Sequence, residues 1–223
     1  MGNKASFKGR SKTVQVKNSK GRKVSSTNWL KRQLNDPYVK LAQKENYRSR
    51  SAFKLLEIDK KFNIIKNSLN VVDLGAAPGG WLQVVRRLNV KAKIVGVDLQ
   101  LIDSIDNVEL IQGDFLLPET KKNITDQYQI DGFDLILSDM SPKTSGHNLT
   151  DHWRILDLAD NVLEFAIEYG LKDSNLVCKL FKGGEENEFI AKTKKLYGKV
   201  RMVKPESSRK ESSEMFLVAL KKK

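Results

Sequence analysis

A single cysteine, Cys178, in 223 residues leaves no partner for an internal disulfide and fits a reducing cytoplasm. Two histidines beside that one thiol are too few for the usual zinc ligand sets, so no metal is expected. No apolar run approaches the ~20 residues that cross a bilayer, and the N-terminus lacks the apolar core of a secretory signal. Internal repeats and a second globular unit are also missing. Acidic residues are scarce at one end only. Residues 1–54 hold 15 Lys and Arg against 2 Asp and Glu, a net +13, while residues 55–223 hold 25 of each. The whole excess charge therefore sits in the first quarter of the chain. A neutral body with a basic arm suits an enzyme or binder that meets a polyanion, nucleic acid first and an anionic membrane second.

Residues 1–35 carry 10 Lys and Arg, no acidic residue and too little apolar surface to fold alone. They are expected to be a basic, disordered arm, with a short helix over Asn28–Leu34 at its end, preceding one domain over 36–223. Met1-Gly2-Asn3-Lys4-Ala5-Ser6 fits the N-myristoylation pattern with basic residues behind it. Patterns this short arise by chance, and no membrane role is expected.

The organising stretch is Val71-Val72-Asp73-Leu74-Gly75-Ala76-Ala77-Pro78-Gly79-Gly80-Trp81. A β-branched run breaks into small residues, then opens into Trp81-Leu82-Gln83-Val84-Val85-Arg86-Arg87 with helical spacing. That predicts a strand, a tight turn and a helix, the first βα step of a nucleotide-binding sheet. Gly75, Gly79 and Gly80 would let backbone turn sharply and come close to a ligand. The order is G-x-x-x-G-G rather than the dinucleotide fingerprint G-x-G-x-x-G. Asp73, two residues before the first glycine, is a poor neighbour for a pyrophosphate. It suits a ligand with a positive amino group, as in S-adenosylmethionine (SAM), which carries a sulfonium and an ammonium and no phosphate.

Beyond this step strands and helices alternate. Strands are expected at 71–74, 94–98, 108–112, 135–138, 176–181, 200–203 and 215–220, with helices between them. The pattern predicts a Rossmann-like α/β fold, a doubly wound, mainly parallel seven-stranded sheet with helices on both faces. The polar link 205–214 is too short for a right-handed crossover, so the last strand is expected to be antiparallel.

Ligands of such sheets lie outside the carboxyl ends of the strands. Asp98 ends Lys-Ile-Val-Gly-Val-Asp 18 residues after Gly80, the distance at which a carboxylate meets a ribose diol. Asp114, after Gly113, is placed for the exocyclic amine of an adenine. Either could equally be a turn or cap residue. Lys179 interrupts the apolar run Leu176-Val177-Cys178-Lys179-Leu180-Phe181, where a lysine must snorkel out or be paired. Asp139 ends the neighbouring strand and could pair with it, as catalytic partner or as plain ion pair. After Asp139 the chain reads Met140-Ser141-Pro142, without the aromatic residue that stacks on a flipped base in base-nitrogen methyltransferases. The acceptor is therefore expected to be a hydroxyl.

Asp73–Trp81, Gly113-Asp114-Phe115, Ser138-Asp139-Met140-Ser141-Pro142 and Lys204-Pro205-Glu206-Ser207-Ser208-Arg209 together resemble the FtsJ-type ribose 2′-O-methyltransferases, over about residues 45–220. The resemblance implies a Lys-Asp-Lys-Glu catalytic set, falling by motif position on Lys54, Asp139, Lys179 and Glu214. It implies cofactor contacts at Gly79, Trp81, Asp98, Asp114 and Asp139, SAM as cofactor and no metal. It further implies ribose methylation of RNA, a uridine of 23S ribosomal RNA in a large-subunit particle foremost, by a cytoplasmic monomer. Ser141, Lys143 and Phe216 depart from common family residues (Ala, Asn and Tyr) beside the catalytic positions. Transfer RNA is the alternative substrate. A non-catalytic RNA-binding assembly factor is disfavoured by the intact set, and a nicotinamide oxidoreductase by the glycine spacing.

Overall fold

A computed structural model of the chain describes residues 24–126, 129–142 and 148–223. Three helices come first: α1 (Val24–Asn35), α2 (Pro37–Lys44) and α3 (Ala52–Phe62). Local chemistry sets their ends. Asp36 caps α2 by accepting from the Tyr38 amide at 3.0 Å, with Pro37 in the first turn where no amide is needed. α3 stops where Asn63 turns left-handed, and Asp59 Oδ1 accepts from the freed amides of Ile64 and Ile65.

The sheet then builds as β1 (Asn70–Leu74), α4 (Gly80–Leu88), β2 (Lys93–Asp98), β3 (Glu109–Gln112), α5 (Pro118–Asp126) and β4 (Phe133–Ser138). It closes with α6 (Asn148–Tyr169), β5 (Gly170–Phe181), α7 (Glu186–Leu196), β6 (Tyr197–Val203) and β7 (Glu214–Lys222). The strand order is β3-β2-β1-β4-β5-β7-β6. β1 to β5 are parallel, while β7 slots between β5 and β6, antiparallel to both. The short 204–213 link has the consequence expected of it, since a chain with no room to cross over must come back antiparallel.

Alternate strand residues feed two cores, as a period of two requires. Val72, Val95, Ile136 and Leu176 pack with α6 and α7. Val71, Ile94, Leu135, Val177 and Phe216 pack with α3 and α4. With both faces covered, the strands read as continuous apolar runs rather than alternating ones. Strand order reverses between β1 and β4, so both project their carboxyl ends, with β5 beside them, towards one crevice.

α1 runs from Val24 rather than Asn28, so the last 12 residues of the span 1–35, expected to be a disordered arm, are helical. Residues 1–23, with the Met1–Ser6 pattern, lie outside the described residues, as does Lys143. No helix among the described residues is long and apolar enough to cross a membrane.

Candidate active site

The turn after β1 is built by backbone that only glycine takes easily. Gly75 sits at φ +75 and Gly79 at φ +100, and a Cβ on Gly75 would run into the Met140 side chain. Asp98 tethers the turn from the end of β2. Its Oδ2 accepts from the Ala77 amide at 2.9 Å and its Oδ1 from the Gln100 amide at 2.8 Å. Asp114 Oδ1 accepts from the Leu116 amide at 3.0 Å. Each carboxylate therefore holds its own turn, Asp98 the glycine turn as well, and the oxygens' remaining lone pairs are what they can offer a ligand. Trp81 is buried, donates its indole N–H to the Ser51 carbonyl and tilts against Phe216, with ring centroids 5.7 Å apart.

Below this turn lies a cavity of about 40 Å3 lined by Ser51, Asp73, Gly75, Ala76, Ala77, Gly80, Trp81 and Asp139. It has room for a small head group, not for a whole nucleoside. Its electrostatics are one-sided. Asp73 is 1% exposed, and its Oδ1 has no hydrogen-bond partner. Burial, reinforced by the nearby carboxylates of Asp139 and Asp98, drives its carboxyl well above the usual range. An orphaned acid among acids calls for a cation; a phosphate would be repelled. The ammonium-bearing end of SAM fits these residues, and a dinucleotide does not. A roomier cavity of about 520 Å3 opens between α6 and α7, but none of the strand-end residues lines it.

Beside the small cavity four ionisable side chains from four elements converge. Lys54, in the first turn of α3, donates to Glu214 Oε2 at 2.8 Å and lies 3.4 Å from Asp139 Oδ1. Lys179, on β5, donates to the Asp139 carbonyl at 2.7 Å and to Asp139 Oδ1 at 3.1 Å, and lies 3.9 Å from Glu214 Oε2. Glu214 opens β7, which pairs Phe181 with Glu214 and Lys179 with Phe216. Two cations and two anions make a neutral cluster, so burial is tolerable where a lone charge would not be. Burial pulls the Glu214 carboxyl upward, but the Lys54 and Lys179 ammonium groups and hydrogen bonds from Lys54 and Ser208 outweigh it and hold the acid below its ordinary value. Glu214 is therefore ionised at neutral pH. Cys178 is no rival nucleophile, because burial pushes its thiol up to about 12.

Two departures noted in the sequence have places here. The Phe216 ring is fully buried, with Lys54 Nζ 5.4 Å from its centroid, and Ser141 is exposed. Sequence reasoning assigned no role to a set of supporting residues. Ser208 Oγ donates to Glu214 Oε1 at 2.8 Å, Glu57 accepts from the Ser207 amide, and Arg50 bridges Asp36 to the Ser207 carbonyl. Ser207, Ser208 and Arg209 fall in the Lys204–Arg209 stretch that carried the resemblance, while Asp36, Arg50 and Glu57 carried no signal of their own.

Sheet order, antiparallel β7 and a glycine turn over a cavity lined by Asp73 and Asp139 define a Rossmann-like protein whose turn does not suit a dinucleotide. Residues 47–222 match the FtsJ-like methyltransferase family, and the chain belongs to that family. It is 49% identical over 220 residues to the ribosomal RNA large subunit methyltransferase E of Rickettsia bellii, with 96% of each chain covered. Its identity to the protein of the same name from Gluconobacter oxydans is 44% over 210 residues, 94% of this chain and 78% of that relative. A crystal structure from Plasmodium falciparum, assigned as a ribosomal RNA methyltransferase, superposes with a TM-score of 0.72 at 29% identity. It covers 79% of this chain and 98% of that one.

Proposed function

We propose that this methyltransferase transfers the methyl group of SAM to the 2′-hydroxyl of a ribose in RNA, foremost a uridine of 23S ribosomal RNA in a large-subunit particle. The observation that carries the reading is the buried Lys54–Glu214–Lys179–Asp139 cluster standing beside the cavity that Asp73 lines at the glycine turn. One chain supplies all four residues, which suits a monomer, and the lone buried thiol suits the cytoplasm.

SAM would be held by Asp73 and the Gly75–Trp81 turn, with Asp98 and Asp114 towards its nucleoside, and supplies an activated methyl group. The O2′–CH3 bond forms as the S–CH3 bond breaks, and the hydroxyl proton must leave. A ribose hydroxyl is a very weak acid, so the protein's task is to orient that oxygen and stabilise its charge. Lys179 Nζ is the group for this work, as the positive charge beside the oxygen or, once it has itself given a proton to solvent, as the acceptor of the hydroxyl proton. Asp139 holds Lys179 through two hydrogen bonds, and Lys54 with Glu214 fixes the approach. Well-oriented reactants can gain ~7–11 kcal/mol, so positioning is expected to supply most of the acceleration.

The test uses large-subunit particles from cells lacking the protein, with labelled SAM. The label should appear on a ribose 2′-oxygen. RNA with one 2′-deoxy substitution at the target nucleotide should bind but accept nothing. Label on a base, or on the deoxy substrate, overturns the assignment.

The basic N-terminal residues have a separate role in this reading, which is to hold phosphate. Removing residues 1–23 should weaken RNA binding and flatten its salt dependence, by about 0.7 in log–log slope per lost phosphate contact on single strands. Turnover at saturating RNA should hold. Loss of turnover at saturation with an unchanged slope would make the arm part of the site instead.

A further inference from the structure

We infer that Ser208 is a positioning residue for the reaction: its hydroxyl fixes the carboxylate of Glu214, and α3 holds the loop that presents it. The inference rests on the proposed participation of Glu214 in methyl transfer.

Glu214 divides its two oxygens between different partners. Oε2 faces Lys54 at 2.8 Å and Lys179 at 3.9 Å, while Oε1 accepts from Ser208 Oγ at 2.8 Å. Ser208 is 5% exposed, so water is a poor substitute for it. A carboxylate tied at one oxygen cannot turn about its terminal bond. Released, it could offer both oxygens to the lysines and draw Lys54 from Asp139, where contact is already long at 3.4 Å. The division of Lys54 between two acids therefore depends on a hydroxyl that touches neither lysine.

That hydroxyl is held from behind. The Ser207 amide donates to both oxygens of Glu57 at 3.1 and 3.3 Å, and Glu57 lies three residues beyond Lys54 on the same helix. The Arg50 guanidinium donates to the Ser207 carbonyl and pairs with Asp36 at 3.0 Å, while Arg209 reaches the same Asp36 at 3.6 Å. The Ser208 amide closes a turn onto the Pro205 carbonyl at 3.0 Å. α3 thus presents Lys54 directly and, through the loop, sets the acid that Lys54 meets. Two residues 160 apart in the chain are aligned by one rigid element.

The test is kinetic, on the full chain with its RNA substrate, using Ser208→Ala, Ser208→Thr, Glu214→Gln and the Ala/Gln double variant. Ser208→Ala should lower kcat about 10-fold, the scale of one hydrogen bond to a charged group, with SAM affinity and KM for RNA unchanged. Its acid limb should move to higher pH, because a hydrogen bond that helps keep Glu214 ionised has gone. Ser208→Thr keeps the hydroxyl and should recover most of the rate. In the Glu214→Gln background Ser208→Ala should cost nothing more, because a residue acting through Glu214 has nothing left to act on. If Glu214→Gln slows the reaction while Ser208→Ala runs at the parent rate, or if Ser208→Ala costs the same on the residual rate of Glu214→Gln as on the parent, the inference about Ser208 is wrong. If Glu214→Gln runs at the parent rate, the reading of the site fails instead.

Discussion

Lys179→Ala should bind SAM as tightly as the parent does and transfer methyl groups about 10²–10⁴-fold more slowly, the range one positioned acid–base group contributes. The expectation follows from where the ammonium sits. Lys179 is 6% exposed and touches Asp139 and Glu214, not the Asp73 end of the cavity where the head group of the cofactor would lie. Its removal also leaves neither acid without a cation, because Lys54 still reaches Glu214 at 2.8 Å and Asp139 at 3.4 Å. The fold should survive, as calorimetric melting can check. An interaction made mainly in the transition state lowers turnover while leaving ground-state binding intact, and single-turnover kinetics separates the two. Lys179→Arg sharpens the result. Arginine keeps the charge but does not give up its proton, so recovery would assign Lys179 to charge stabilisation and continued loss to proton acceptance. Wild-type turnover in the alanine variant would reduce the Lys179–Asp139 contact to a structural ion pair.

How much of this was legible beforehand depended on whether the cause was local. β1, its turn and α4 could be read from the residues because β-branched runs, glycines and helical spacing each act over a few positions. Antiparallel β7 followed from link length alone. α1 came out longer than the sequence suggested, starting at Val24 rather than Asn28, because the residues that open a helix express only weak local preferences. Lys179 announced itself by interrupting an apolar strand, whereas Lys54 on an ordinary helix did not, and only resemblance singled it out. Ser208, Glu57 and Arg50 went unassigned for a physical reason. Their partners lie 6, 150 and 157 residues away, and no periodicity or spacing reports which loop docks on which helix. Asp98 and Asp114 show the other limit. Sequence left ligand contact and turn capping open for both, and the structure gives each a local turn bond, with Asp98 also tying down the glycine turn 21 residues earlier.

Asp73→Asn should make the protein without cofactor no less stable at neutral pH, while weakening SAM binding by about 10- to 150-fold, the loss of a charge-assisted hydrogen bond of about 1.5–3 kcal/mol. The buried Asp73 carboxyl lies well above its usual range, chiefly through burial and then through Asp139 and Asp98. In the unfolded chain the same acid loses its proton near pH ~3.9. As pH rises past that value, the unfolded state releases a proton that the folded state still keeps. Fewer protons on the unfolded side means that stability falls with rising pH, up to the folded-state value, and is level beyond it. The sign is opposite to that of Glu214, whose lowered carboxyl adds stability that is present above the unfolded value and lost as pH falls. Asparagine does not titrate, so the variant should lose the Asp73 part of the downward slope. A cationic head group reverses the cost, because it pairs with the ionised acid. Stabilisation by SAM in the parent should therefore grow with pH across the same window, and that growth should vanish in the variant. Melting temperatures with and without SAM, taken across pH in both proteins, read all three effects. Equal SAM affinity and an unchanged slope in Asp73→Asn would show that the orphaned oxygen finds its partner elsewhere, and would remove the main reason for placing a cation at this turn.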